Sequence, residues 1–451
     1  MTATPQYVVE PGGQVPVAAV SDLVVVGGGP AGTTAAIAAA RNGLSVTLLE
    51  RYPYLGGLAS GGMVLVLDDM CNGQEIAVRG ICSELIERLE KLGLAVTPPE
   101  ADRRSDPAMW RKWSRWGVFD FTSHLKPQPI VFAAAFDPDG FKRVSNDMVA
   151  EAKIDVRLHS WFSRAIVEGG AVKGVVVESK EGRQAILGRA VVDASGDLDV
   201  AASAGAPFIE GSYIVTTVFR LGGVDIEEAE RFEHEDPEAF KAIDREAKRV
   251  IGGSWDKWWL KTPLPGVVWC NCPHMANYDG LKIADLTRAD FEGRKRIAAL
   301  VDYLHAKMPG FRDCYVIDVA PQLGIRQTRL LDGLYVMTKE DVSERRHFAD
   351  SVARGRDYYY PYRSMLPRDV GQLIVAGRHY SATSSAQRMS REIPPCMAMG
   401  EAAGVAAALS LEAGVGLDRV DVAKLQRRLR AQGADPGDVP AANATVLKAA
   451  E

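Results

Sequence analysis

Four hydrophobic residues, Leu23–Val26, run without a break into Gly27-Gly28-Gly29-Pro30-Ala31-Gly32. An alanine-rich stretch follows, then a second apolar run, Val46-Thr47-Leu48-Leu49, that ends in Glu50. Short continuous apolar runs bounded by turn residues predict strands buried on both faces, and the alanine stretch predicts a helix between them. Further on, apolar Ile81, Leu85, Leu89 and Leu92 recur at helical spacing and predict a helix over about 76–92. A second helix is expected over 141–152 and a strand over 154–158. Gly169-Gly170 parts two β-rich runs within 165–178, a hairpin signal. The strand Ala190–Val192 leads into Asp193-Ala194-Ser195-Gly196-Asp197, a second glycine turn at a strand end. Between these elements, 97–130 is polar, dotted with proline, and carries Trp110, Trp113 and Trp116. It reads as a long excursion forming a flap or an interface, although core packing is the default for such a stripe.

From about 207 to 339 the texture changes. Short β-like runs (214–221, 266–270) mix with a charged helical stretch (226–251), a further helix (288–307) and dense tryptophan: Trp255, Trp258, Trp259 and Trp269. Gln372–Arg378 then returns to the strand-then-glycine texture, and Pro394–Leu411 predicts an alanine-rich helix in which Gly400 and Gly404 permit close packing. A charged helix is expected over 422–432, followed by a low-complexity end. No solenoid-type repeat is present. The fold class expected is α/β: a Rossmann-like, three-layer dinucleotide-binding domain, discontinuous in sequence (21–206 and 341–417), with an inserted α+β substrate domain (207–340). A tail (1–20) and a C-terminal helix and tail (418–451) flank it.

The first glycine turn carries the chemistry. Gly27 turns where other residues would strain, Gly29 lets the backbone approach a pyrophosphate, and Gly32 lets helix and strand pack closely. The helix N-terminus offers unpaired amides and a partial positive charge to phosphates, and Glu50 is placed to accept hydrogen bonds from ribose hydroxyls. A lone glycine motif is weak, but here strand, turn, helix, strand and acid occur in order. The second glycine-rich loop, Gly56–Gly62, is expected where backbone passes close to something flat or anionic.

Composition narrows the class. The 451 residues suffice for two or three domains, and 47% hydrophobic with 25% charged residues is ordinary for a globular protein. A net charge of −5 argues against a general nucleic-acid binder. Leu23–Val26 is too short to span a bilayer, and residues 1–20 lack the pattern of a secretory leader, so a cytoplasmic location is expected. The six cysteines form no paired CxxC motifs, and seven scattered histidines show no HxH or HExxH pattern, so no metal site is expected. Cys270-Asn271-Cys272 could be a redox pair; buried free thiols are the simpler reading.

Several further motifs converge with these: Asp137–Arg143, Asp193–Pro207, Leu323-Gly324-Ile325-Arg326, Pro361–Pro367, Val375–Thr383 and Arg391–Gly404. With Gly27–Gly32, Glu50 and Gly56–Ser60, they run through nearly the whole chain in order. The chain resembles the bacterial FAD-dependent oxidoreductases of the glutathione-reductase-like structural class. That resemblance implies FAD as cofactor. It implies that Gly27, Gly29, Pro30, Ala31 and Gly32 cradle the pyrophosphate, with Glu50 and Arg51 at the ribose. Gly57, Leu58, Ala59 and Ser60 would lie along the pyrophosphate and flavin edge, and Ala194, Ser195, Gly196 and Asp197 would form the second turn against FAD. Gly377-Arg378 stands where many relatives carry Gly-Asp. The helix after Pro394-Pro395, with Cys396 and Met397 in its first turn, would aim its N-terminus at the flavin and stabilise the negative charge of its reduced form.

The absence of a second GxGxxG unit and of a redox CxxxxC separates the chain from disulfide reductases. Ser195-Gly196-Asp197-Leu198-Asp199 and Gly377-Arg378 depart from the signatures of flavin monooxygenases. The expected function is hydride transfer between a small organic substrate and flavin N5, with oxygen, a quinone or a carrier as electron acceptor. The alternatives are an NAD(P)H-dependent monooxygenase, a redox-neutral isomerase or lyase, and a flavin-bearing subunit of a complex. A homodimer is the default assembly. His379 is the first candidate base, against a histidine bonded to a backbone carbonyl near the cofactor. Arg326 and Arg391 could bind a substrate carboxylate or stabilise an enolate, against an internal ion pair. His274 could enter the site from the substrate side, against a surface or core histidine. Tyr358–Tyr362 could line a pocket or simply pack.

Overall fold

The computed structural model describes residues 13–446 except 74, 256 and 443. Its centre is a seven-stranded sheet. Strands β1 (Val17–Val26), β2 (Val46–Leu49), β3 (Asp155–Arg157), β4 (Trp161–Glu168), β5 (Ala171–Ser179) and β6 (Gly182–Asp193) run in the order β3-β2-β1-β6-β5-β4. The seventh strand, β7 (Leu373–Val375), pairs in parallel with Val191–Asp193 at the far end of β6. The β4–β5 hairpin turns at Gly169-Gly170, while β1, β2, β3, β6 and β7 pair in parallel. Leu23–Val25 and Val191–Val192 are fully buried, as strands covered on both faces require.

Two helices lie behind the first glycine turn. Helix α1 (Pro30–Arg41) follows it directly, and a 21-residue helix, α2 (Ile393–Ala413), crosses α1 in near-contact. A Cβ at Gly400 would stand 2.1 Å from the Ala31 carbonyl oxygen, and one at Gly404 would stand 2.3 Å from that of Ala35. Backbone therefore rests on backbone, the close packing expected of these two glycines. Among the described residues α2 is the one helix long and apolar enough to cross a membrane, and 78% of its apolar window is buried inside the protein.

Several boundaries differ from the sequence reading. Residues 17–20, expected in a tail, form the start of β1, because Val17–Ser21 pair with Ala185–Gly188 although Val17 and Val20 are exposed. The rest of that tail, 1–12, lies outside the described residues. Val420, Leu425 and Leu429, expected in a terminal appendage, share one core with α1 and α2. The charged stretch 226–251 is two helices, Ile226–Glu235 and Pro237–Ile251, because Pro237 removes an amide and the Asp236 carboxylate caps the second helix at Ala239. The run 214–221 is likewise split: Val215–Thr216 pairs with His274–Met275 and Gly324–Ile325, whereas Phe219–Gly222 joins Trp259–Lys261, Val268–Cys270 and Tyr315–Val319 in a separate four-stranded sheet. That sheet and the helices at 226–251 and 283–307 enclose their own core around Phe219, Trp258, Trp259, Leu300 and Phe311. The chain returns to the central sheet before residue 340, since Leu331 is buried with Val24 and Val26 of β1 and Leu373 of β7.

The excursion at 97–130 docks on the inserted layer. Trp113, Val118 and Ile130 pack with Val218, Leu260 and Trp269. Arg115 donates to Glu233 Oε2 at 2.8 Å and to the Trp259 carbonyl at 3.0 Å, and its guanidinium lies 3.8 Å from the Trp259 ring centre.

Candidate active site

Both glycine turns meet at the carboxyl ends of the parallel strands. Gly27 adopts φ +105°, and a Cβ there would lie 2.3 Å from the Ala194 carbonyl oxygen, so the two turns touch through their backbones. At Gly32 the space is narrower still: a Cβ would lie 1.8 Å from the Gly27 carbonyl oxygen. Gly29 is the opposite case. A Cβ there would meet only Gly57 Cα, at 3.8 Å, because that direction faces open groove. No side chain caps α1 at Gly29, so its first-turn amides remain available, with Pro30 taking the position that needs no donor.

The groove, about 940 Å³ of empty space including its open mouth, is lined by three sets of residues. One end has Glu50, Arg51, Tyr52, Ser160, Trp161 and Phe162; the middle has Gly27, Gly29, Ala194, Ser195, Gly196, Gly377 and Arg378; the other end has Gly57, Leu58, Gln322, Arg391, Ile393 and Cys396. Glu50 is buried, and burial raises its pKa although the amides of Gly28 (2.7 Å) and Tyr52 (2.9 Å) donate to it. Each oxygen keeps a lone pair for a ribose hydroxyl. Arg51 lies over the rings of Tyr52 and Trp161. Those two rings, with Ser160 and Phe162, went unnoticed in the sequence; the exposed tryptophan at the start of the β4 hairpin was the available signal.

The second turn is organised by two acids. Asp193 is fully buried, and burial would raise its pKa, but bonds from His379, Ser195 and the Ala201 amide hold it below the usual range. Asp197 is treated alike: burial opposes, and Arg378 at 2.9 Å, Arg51 and the Thr328 hydroxyl at 2.8 Å prevail. Arg378 also covers Gly196, where a Cβ would strike its guanidinium at 2.5 Å. The arginine in place of the usual acid is thus matched by an acid on the facing turn.

Some predicted cofactor residues lie beneath the groove and do not line it. Ala59 and Ser60 are buried, and the Ser60 hydroxyl donates to the Leu55 carbonyl, because the short helix at 57–60 turns them inward. Met397 is buried too, its carbonyl accepting from Thr34 Oγ1 at 2.9 Å, while Cys396 one residue earlier faces the groove. Gly32 and Asp197 serve as packing and charge partner respectively. His379 turns Nε2 onto Asp193, 3.1 Å from the backbone carbonyl and 3.2 Å from Oδ1, leaving Nδ1 without a partner beside Gly377.

At the Arg391 end a charged cluster joins the groove to the inserted layer. Arg326 donates to Thr216 Oγ1 at 3.1 Å and Asn271 Oδ1 at 3.4 Å. Burial and then the Arg391 charge push its pKa down to about 10. Burial, with Arg326 next, pushes His274 down to about 4, and its Nε2 has no partner. Among the described residues Arg391 reaches only its neighbour Glu392, at 3.6 Å, and its Nε has no partner. Burial and the charges of Glu392 and Asp69 raise Asp68 well above its usual value. Asp68, Thr216 and Asn271 carry no motif, so the sequence did not point to them. Tyr358, Tyr360 and Tyr362 are fully or nearly fully buried and pack in the main core, so they do not line this groove.

The pattern of the family described as FAD dependent oxidoreductase matches residues 22–359 and 354–429. The chain belongs to that family. FAD is its cofactor, and the open face at Gly29, the uncapped amides of α1 and the Glu50 carboxylate are the features of this fold that fit it. The chain is also 28% identical over 237 residues to digeranylgeranylglycerophospholipid reductase 1 of Methanopyrus kandleri, a match covering 51% of this chain and 52% of the relative. The match thus spans about half the length of that curated relative. In fold, this FAD-dependent enzyme is similar to the solved geranylgeranyl bacteriochlorophyll reductase-like protein of Thermoplasma acidophilum, with a TM-score of 0.50, 16% identity, and coverage of 92% and 84% of the two chains. A myxobacterial chondrochloren halogenase aligns over 91% of this chain and 79% of its own at 16% identity and a TM-score of 0.47.

Proposed function

We propose that this FAD-dependent enzyme moves a hydride between a small organic substrate and the N5 position of the cofactor. The observation that carries this reading is the polar cluster of Arg326, Arg391, His274 and Asp68, held where the groove meets the inserted layer. Bound FAD supplies the two-electron acceptor or donor. The protein's own groups bind, orient and handle protons. Gly27, Gly29 and the amides of α1 take the phosphates, Glu50 the ribose, and the uncapped start of α2 offers positive potential at the Arg391 end. Where a substrate proton must leave, His274 Nε2 is the favoured acceptor, since it is neutral and unpartnered beside Arg326. His379 is a positioning residue in this scheme, because its Nε2 is committed to Asp193. Six buried free thiols suit a cytoplasmic setting.

Anaerobic mixing with alcohols, amines, hydroxy acids and NAD(P)H tests the proposal through the visible flavin band. Bleaching by an organic metabolite and not by NAD(P)H supports it. Bleaching by NAD(P)H alone replaces it with a monooxygenase or a C=C reductase.

A further inference from the structure

Arg326 is a half-buried guanidinium without an acid in reach. Its bonds go to a threonine hydroxyl and an asparagine amide oxygen, and no carboxylate stands within salt-bridge distance among the described residues. A charge removed from water and left without a counter-charge is costly. Elsewhere the chain avoids that cost: buried Arg115 is matched by Glu233, Arg220 by Asp137 and Asp318, and Arg354 by Glu75 and Asp435. Arg326 departs from that rule, and Arg391 meets it only through a long contact with its chain neighbour. Arg391 lines the groove, has an unpartnered Nε, and among the described residues meets only Glu392 at 3.6 Å.

The neighbouring groups set the charge of the missing partner. Burial and the neighbouring charges of Glu392 and Asp69 disfavour the ionised form of Asp68, and burial disfavours the cationic form of His274. Asp69 is engaged by Tyr358 and Arg356, outside this pair. Glu392 offsets one of the two arginines and leaves one positive charge over. A single negative charge fits that remainder; a phosphate monoester, with nearly two at neutral pH, exceeds it. A planar carboxylate also matches the guanidinium fork.

We propose that Arg326 and Arg391 together seat a carboxylate of the substrate at the inserted-layer end of the groove, so that the enzyme acts on a monocarboxylic acid. This deepens the hydride-transfer reading and rests on it, since the carboxylate would hold the reacting carbon at the flavin end.

The test is titration of the FAD-loaded enzyme with benzoate and propionate, and with benzamide and propionamide as neutral counterparts, followed by the shift of the flavin absorption bands. The carboxylates should produce a saturable shift and the amides one at least about tenfold weaker in affinity. Arg326→Met should weaken carboxylate binding by about tenfold or more with FAD content unchanged, and Arg326→Lys should recover part of it. Equal response to acids and amides, or no response to either, overturns the proposal while leaving the flavin chemistry intact. Should Arg326→Met fail to fold, the acid–amide comparison on the unaltered enzyme decides alone. A chain that cannot hold FAD defeats the hydride-transfer reading instead, and calorimetry with benzoate on the apoprotein then decides the anion site.

Discussion

Arg378 Nη2 lies 2.9 Å from Asp197 Oδ1, joining the loop after β7 to the loop after β6 across nearly two hundred residues of sequence. The pair stands directly over Gly196, so it holds the second glycine turn in shape. Replacing Arg378 by Met should destabilise the folded chain by about 3 kcal/mol, the lower end for a buried pair losing one partner, because Thr328 and Arg51 remain on Asp197. Asp197 is held below the usual carboxylate value, so its stabilising contribution is present above the unfolded pKa near 4 and is lost as pH falls through the folded value. Urea unfolding at several pH values should therefore show a shallower acid limb in Arg378→Met than in the parent.

Gly29 and Gly32 separate binding from folding. Gly29→Ala adds a methyl to open groove and should change apoprotein stability by less than about 1 kcal/mol while lowering FAD affinity at least tenfold. Gly32→Ala drives a methyl into the Gly27 carbonyl and should cost several kcal/mol, roughly the overpacking range, with or without FAD. Thermal melts of both apoproteins, alongside FAD titration, check the contrast.

Glu401 supplies a second pH dependence, opposite in sign to that of Asp197. It accepts a bond from the Ile81 amide at 3.0 Å, and burial pushes its pKa up to about 7. The folded state therefore binds a proton that the unfolded state releases near pH 4.5, and stability from this group declines as pH rises through 7. Asp69, pushed by burial to about 7, acts in the same window. Glu401→Gln keeps an acceptor for Ile81 and should remove roughly half of that decline, about 3 kcal/mol at most. Unfolding free energies between pH 5 and 8 measure it.

All six cysteines are free and buried, and Cys270 and Cys272 form no disulfide. Burial raises both of their thiols, and it pushes Cys396 in the groove up to about 12. A disulfide reagent should react with none of them rapidly in the native enzyme and with all six after denaturation.

The parts of the site carried by local rules were legible. Gly27, Gly29, Gly32 and Glu50 announce themselves because turn geometry and phosphate approach leave no other residue type there. Gly400 and Gly404 were legible for another reason: glycine inside an alanine-rich helix marks a place where a second backbone comes close. Arg378 was visible as a departure, but its meaning lay in Asp197, which sequence spacing cannot pair with it. His379 illustrates the limit. Its place beside the turn was readable, whereas the direction of its ring depends on Asp193. Arg326, His274 and Asp68 come from three segments brought together by the inserted layer, and no periodicity in any one of them encodes that meeting.

The contact of α2 on α1 has a consequence for biosynthesis. A ribosome-bound chain of two hundred residues already holds Gly27, Glu50 and Asp193, yet it lacks β7, which closes the sheet beside β6, and the helix whose Gly400 and Gly404 seat on Ala31 and Ala35. The floor and far wall of the groove arrive together, long after the two glycine turns have been made. Cofactor capture therefore waits on residues 373–413, and a truncated product ending before residue 393 emerges without a completed place to keep it.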